Sequence, residues 1–380
     1  MAPSFTQIKA GGNFSLALDS QGQVWAWGRG AEGQLGDGAF TSRRQAEVIE
    51  GLPPIIKMAA GFDHALALDS DGVVWVWGQG HHGQLGTGDT LPRGVPAPLT
   101  LPSQGVDMAA GGLHSLVLTA DGQVFWFGTL PLGDLSPQAN LMALTPEVIT
   151  GLPPIISLTA GAWHDLFRDE NGLLWARGAN GQGGLGDGTT QDRESVGRVP
   201  GLSNVIDLAA GDGFSLALQG DGSLWTWGAG SLGQLGDGTF VSRSEPGQVA
   251  TPTEVITVAA GTTFALVITQ DGQVWAWGYD RYAELGDGGQ LIPPETAQGS
   301  SPPTSEPWEC VPLAKAVADF EGITHISAGH HHGLALGPGG SLFGWGLNSM
   351  GQLGQEGPIQ AGSFSATLYP VPTEMTVDES

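Results

Sequence analysis

The chain has 380 residues, 40% of them hydrophobic and only 13% charged, with a formal net charge of −25 from 38 acidic against 13 basic side chains. That much apolar material with so little charge excludes a disordered chain. The acidity excludes a nucleic-acid surface, which needs cations to displace phosphate counterions, and it repels anionic lipid as well. Partners among nucleic acids or membranes are therefore not expected, whereas a cationic protein surface would be attracted.

Phe5–Ala10 reads as a first short strand, ending on the pair Ala10-Gly11. In the next strand Leu16 and Leu18 alternate with Ser15 and Ala17. Gln21-Gly22 then closes a hairpin, since glycine accepts the positive φ of such turns. Trp25 and Trp27 follow on one face of a third strand, with Val24 and Ala26 on the other. The unit then repeats: Ile56–Ala60, Ala65–Leu68, the turn Asp71-Gly72, Val74–Trp77, and a weaker fourth strand near Ala97-Pro-Leu99.

The Ala-Gly pair returns at Gly11, Gly61, Gly111, Gly161, Gly211 and Gly261, each 50 residues on, and a seventh time at Gly329 after 68. Trp-x-Trp-Gly moves in step, with Phe125-Trp-Phe127, Trp175-Ala-Arg177 and Phe343-Gly-Trp345 as variants, and Gly-Gln-Leu-Gly follows in most copies. Each unit is apolar on both faces, one bulky and one small, so every sheet needs a neighbour on each side. Core tryptophans such as Trp225 are expected to be costly to remove. Radial closure satisfies this demand and shelters the strand edges. The fold class is therefore all-β: one closed seven-bladed β-propeller of four-stranded antiparallel blades over residues 1–380, with an insertion around 289–322. A helix is expected nowhere except near Pro312–Phe320. Thr367–Glu374 could supply the last outer strand, or one terminus could complete a blade begun by the other; either way the two ends should meet.

The run Ala-Gly-x-x-His-x-Leu-Ala-Leu, then Asp-Gly-x-Val-Trp-x-Trp-Gly, then Gly-Gln-Leu-Gly resembles the repeat of the regulator of chromosome condensation family, from about Ile8 to Glu374. The resemblance implies a seven-bladed propeller. Its members include a nuclear exchange factor for a small GTPase, a plant UV-B photoreceptor and bacterial propellers that inhibit β-lactamases, so the shared fold leaves function open. The photoreceptor's Gly-Trp-Arg-His-Thr stretches have one partial counterpart here, Gly161-Ala-Trp163-His164-Asp165. No motif specific to the exchange-factor subgroup is present.

Other motifs have plainer readings. Gly28-Arg-Gly30-Ala-Glu-Gly33 has the spacing of a dinucleotide loop, but no helix follows to hold a pyrophosphate. Asp69-Ser-Asp71-Gly72 lacks the ligand count of a calcium loop. Arg43, Arg93, Arg193 and Arg243 share one repeat position, which suits a bond within each blade to loop carbonyls or to an aspartate such as Asp37. His64, His114, His164 and His332 also share a position, expected to be buried and bonded to backbone. No spaced Cys/His/carboxylate set supports a metal, and no nucleophile elbow or P-loop occurs, so neither cofactor nor catalysis is expected. Cys310 stands alone, no apolar run reaches transmembrane length, and the start lacks the features of a leader. A cytoplasmic location fits, as does secretion after removal of a leader.

The function expected is that of a binding scaffold for a protein partner, with guanine-nucleotide exchange on a small GTPase and light sensing as alternatives by resemblance. In an up-and-down blade the first-to-second and third-to-fourth connections share one face. That face collects the residues that break the repeat: Phe62, Asp63, His81, His82, Leu113, Trp163, Tyr279, Arg281, Tyr282, His330 and His331. Trp308, in the insertion, joins them. Positions dictated by the fold should look alike in every copy; these do not.

Overall fold

A computed structural model describes residues 3–130, 132, 141–250, 254–288, 310–317, 320, 322–354 and 368–375. Its local unit is the hairpin between second and third strands. In His64–Asp69 and Val74–Gly78 the turn is held by one carboxylate: Asp69 Oδ1 accepts from the amides of Asp71 (3.0 Å) and Val73 (2.9 Å), and Oδ2 from Trp75 Nε1 (3.0 Å). Asp19 and Asp169 do the same in their blades. These aspartates are committed to turn geometry.

Among the described residues the strands form seven four-stranded sheets, each in sequential order and built from contiguous sequence. The innermost strands, such as Phe5–Ala10 and Ile55–Ala60, neighbour one another around the axis. The fourth strands are the outer edges, and they begin earlier than expected, as in Arg93–Pro98. Proline is tolerated there because an edge residue need not donate to a ladder. Ring closure follows the first of the two schemes: Leu368–Glu374 completes the seventh blade, and Phe5–Ala10 starts the first. The joint between them is sealed by the bond from the Ala10 amide to Ser327 Oγ (2.9 Å) and from Trp27 Nε1 to the Gln352 carbonyl (2.8 Å). Among the described residues no helix forms near Pro312–Phe320: Cys310–Ala316 is the fourth strand of the sixth blade, paired with Trp275–Tyr279. A further departure is one turn of 3-10 helix at Pro338–Gly340. The insertion therefore enters between third and fourth strands, and its residues 289–309, Trp308 included, lie outside the described residues.

Blades pack large against small, as the alternation requires. Leu16, Leu18, Val24 and Ala26 of the first blade meet Ala65, Ala67 and Trp77 of the second. Trp27, Trp77, Trp227, Trp277 and Trp345 are fully buried. Each donates its Nε1–H at 2.8–2.9 Å to a carbonyl in the preceding blade, which satisfies the one polar atom it buries. Trp225 is only partly buried, so the core anchor of its strand is Trp227.

The arginines behave as expected. Arg43, Arg93, Arg193 and Arg243 bind Asp37, Asp89, Asp187 and Asp237 within their own blades, and Lys315 binds Asp287 in the sixth. Through Nε2 the histidines bond side chains of the next blade rather than backbone. The Ser115 hydroxyl donates to the Gln84 carbonyl (2.8 Å), so His64 Nε2–H donates to Ser115 Oγ (2.9 Å) in the next blade. His164 meets Ser215 (2.8 Å) and His332 meets Ser15 (3.2 Å) in the same way. His114 meets Asp165 (2.7 Å), which also binds Arg177 Nε (2.9 Å); all three are buried, with Arg177 lying 4.9 Å from the centre of the Trp126 ring. Where the next blade carries Ala65, Ala265 or Gly333 instead, the position is Phe14, Phe214 or Phe264. All seven joints obey this pairing: histidine faces a polar residue, phenylalanine a small apolar one.

The recurring glycine is explained at the same place. A Cβ on Gly261 would stand 2.2 Å from the Phe264 ring and 2.6 Å from the Gly329 carbonyl oxygen of the next blade. Gly61, Gly111, Gly161 and Gly211 are pressed in the same way, so only glycine lets the seven inner turns close around the axis.

Candidate functional site

The face carrying the first-to-second turns and the third-to-fourth loops is tied together from blade to blade. In the first blade Gln34 Oε1 accepts the Glu32 amide (2.8 Å), and its Nε2 donates to Asp63 of the second blade (2.7 Å). In the sixth blade the corresponding residue is Glu284. Its Oε2 accepts the Tyr282 amide (2.7 Å) and its Oε1 lies 2.8 Å from His331 Nδ1, which donates to it. Donor and acceptor have exchanged sides, so both loops remain satisfied. Burial pushes the Glu284 carboxyl up, and the neighbouring His331 only partly offsets this.

Three of the singled-out residues meet at the channel mouth. Phe62 (second blade) lies with its ring centre 4.2 Å from His330 (seventh) and 5.8 Å from Trp163 (fourth), both edge-on. Beneath them a cavity of about 80 Å³ is lined by the seven Ala-Gly pairs. Beside them Tyr282 stands 4.7 Å from His331, and Tyr279 stands 6.3 Å from Tyr282. His330 and His331, 6.0 Å apart, join the two groups into one aromatic cluster. These side chains are partly exposed. Burial and the adjacent His331 lower His330 to about 4, so it is neutral at pH 7. Burial raises the Tyr279 hydroxyl to about 12. It raises Asp280, which accepts the Leu285 amide (3.0 Å), to about 7, with Asp287 and Glu284 pushing the same way.

The other expected site residues are placed differently. Asp63 is engaged by Arg29 (2.5 Å) as well as Gln34, and burial nonetheless pushes its carboxyl up. Arg281 bonds Tyr279. His81 is exposed, 3.8 Å from Glu32, and His82 is held by its backbone: its amide donates to Gln84 and its carbonyl accepts from Thr129. Leu113 is half-buried, away from the aromatic cluster's ring contacts. Sequence reading missed Asp212, which bonds the Trp163 indole and is pushed up by burial, and it missed Glu284, whereas Asp280 lies within the repeat-breaking run from Tyr279 to Tyr282. The signal for Glu284 was present, since Ala283-Glu284-Leu285-Gly286 breaks the Gly-Gln-Leu-Gly motif, and Asp280 replaces the glycine found at Gly30, Gly80 and Gly230. Among the described residues no group of three or more metal-ligating side chains converges.

Comparison with known proteins places this geometry. The pattern described as "Regulator of chromosome condensation (RCC1) repeat" matches residues 21–68, 71–118, 171–218, 221–268 and 271–336, and a second form of it matches five further overlapping stretches. Neither form matches 119–170, where the sequence supplies Trp126 and Asp165 to the buried joint with His114 and Arg177. The chain is similar to the propeller of Prp20p from Saccharomyces cerevisiae (25% identity over 95% of this chain and 87% of that one, TM-score 0.78), described together with its binding to Gsp1p and histones. The yeast RCC1 (Prp20) structure bound to Kap60 is similar too, at 25% identity over 94% and 85% of the two chains and a TM-score of 0.79. Human WBSCR16 shares the fold, at 22% identity over 93% and 94% and a TM-score of 0.77. A segment of 46 residues, 12% of this chain, is 48% identical to the human E3 ubiquitin-protein ligase HERC2 and spans 1% of that protein's length. With the repeat matched over most of its length and seven blades in the ring, the chain belongs to the regulator of chromosome condensation (RCC1) repeat family.

Proposed function

We propose that this propeller is a protein-binding scaffold that holds its partner on the loop face, over the aromatic cluster at the channel mouth. The observation that carries the reading is the convergence of Phe62, Trp163 and His330 from three separate blades, with Tyr279, Tyr282 and His331 alongside. Large, partly exposed rings held by a rigid scaffold are the side chains that dominate binding hot spots. The partner surface is cationic, because the chain carries a formal charge of −25. Similar propellers described with Gsp1p, histones and Kap60 support a protein partner.

The test captures partners from the native lysate and then measures affinity for the purified candidate. Trp163→Ala and Tyr282→Ala should each weaken binding by ~1–3 kcal/mol, whereas Asp221→Asn on the hairpin face should leave it unchanged. The reverse pattern moves the binding surface to the hairpin face. A second reading, guanine-nucleotide exchange on a small GTPase, draws its support from the likeness to Prp20p. Release of a fluorescent GDP analogue from the captured GTPase, unaccelerated by the propeller, would remove it.

A further inference from the structure

The cavity at the channel mouth, about 80 Å³, has several times the roughly 10–15 Å³ that one water needs. Its wall is mainly backbone, and the hydrogen bonds around the axis decide what that backbone can still bind. All seven glycines of the Ala-Gly pairs donate their amides within their own blades, as Gly61 does to the His64 carbonyl (2.9 Å). Of the seven amides that follow them, six are given to a carbonyl of the next blade: those of Gly12, Gly112, Ala162, Asp212, Thr262 and His330, at 3.0–3.2 Å. Each accepting carbonyl keeps a second lone pair. This collar therefore has acceptors to spare and almost no amide to give, which suits a donor-rich guest and not an anion.

The side chains add to this. Among the described residues that line the cavity Asp212 is the one carboxylate, and neither lysine nor arginine is present. Asp212 bonds the Trp163 indole, and among the described residues it has no ion pair. It is partly exposed, so solvent reaches it. The other blades place Gly12, Phe62, Gly112, Ala162, Thr262 and His330 at its position, so the packing of the ring does not call for a carboxylate. Phe62 and His330 bring aromatic rings to the same wall, and Phe62 lies edge-on against Trp163 (5.8 Å). His330 is neutral at pH 7 and does not repel a cation.

We propose that this cavity is a binding site for one alkylammonium group, with Asp212 as its counter-charge, the collar carbonyls as further acceptors and Phe62 as its ring wall. The inference rests on the loop face as the docking surface and names the chemistry that face takes: the head group of a lysine on the partner, or of a free small amine. The three N–H donors of an ammonium meet the carboxylate and the carbonyls, and its methylenes meet Phe62 and the alanines. An ammonium beside Asp212 favours the ionised carboxylate, which offsets the burial that pushes this carboxyl up.

The experiment uses saturation-transfer NMR on the intact protein at fixed ionic strength, with n-butylammonium, n-butanol and butyrate as probes. n-Butylammonium should bind saturably, n-butanol at least about tenfold more weakly, and butyrate not at all. Asp212→Asn keeps the backbone amide that donates to Thr262 and removes only the charge. It should weaken n-butylammonium at least about tenfold, the loss expected of one hydrogen bond to a charged group. An absence of saturable n-butylammonium binding, equal binding of n-butanol, or an Asp212→Asn protein that binds like the parent would each overturn the proposal. Competition then identifies the source: a captured partner that displaces n-butylammonium supplies the ammonium from its own lysine, whereas joint binding assigns the site to a free amine. The docking reading is judged separately. If Trp163→Ala weakens the partner while n-butylammonium ignores Asp212, the docking surface stands and the cation site falls. If n-butylammonium depends on Asp212 while the partner ignores Trp163, the cation site stands and the docking surface falls.

Discussion

The pairing of histidine with serine and of phenylalanine with alanine across blade joints can be tested at His164 and Ser215. His164 Nε2–H donates to Ser215 Oγ (2.8 Å), and that hydroxyl donates to the Gly184 carbonyl (2.8 Å). Ser215→Ala leaves a fully buried N–H without an acceptor, at a cost of about 1–3 kcal/mol. The Gly184 carbonyl keeps its bond from Trp227 Nε1 and adds little. His164→Phe loses the hydrogen bond, about 0.5–1.5 kcal/mol, and drives a larger ring against the serine oxygen, about 1–3 kcal/mol more. The double variant reproduces the joint already formed by Phe214 and Ala265, and should return to within about 1 kcal/mol of the parent. Urea unfolding of the four proteins, fitted with a shared slope, measures the coupling. If the single costs add to within about 0.5 kcal/mol, the two residues do not act as a pair and the reasoning fails.

Trp227→Ala should destabilise by about 3–5 kcal/mol and Trp225→Ala by clearly less, since only Trp227 is fully buried; equal losses in denaturant melts would show the burial argument to be wrong. Arg177→Met leaves Asp165 buried with half of its partners and should cost about 3–5 kcal/mol, whereas Asp165→Ser with Arg177→Trp, the pairing of other blades, should cost far less. Burial lowers His64 and His332 to about 3 and His164 to about 4, from 6.5. The unfolded chain therefore takes up protons that the folded chain refuses. Stability is intact above pH 6.5 and falls below it by about 1.4 kcal/mol per pH unit for each histidine, down to those folded values. His64→Phe with Ser115→Ala should lower that slope by one histidine's share, and an unchanged slope in pH-dependent urea melts would assign acid sensitivity elsewhere.

The period of the Ala-Gly and Trp-x-Trp-Gly markers, together with strand alternation, determined the number of blades, their hairpins and the large-against-small packing, because these follow from spacing alone. The arginine–aspartate pairs were legible for the same reason: both members lie in one copy, a few residues apart. The fourth strand near Pro312 was not, because an outer edge strand answers to one neighbour and carries little pattern of its own. The face bearing the variable residues followed from connectivity, but not which of them meet. Phe62, Trp163 and His330 are far apart in sequence, and closure of the ring brings them within ring contact while it leaves His81 at the rim. Periodicity is a property of the chain and is written along it, whereas contact across the axis exists only once all seven sheets have closed.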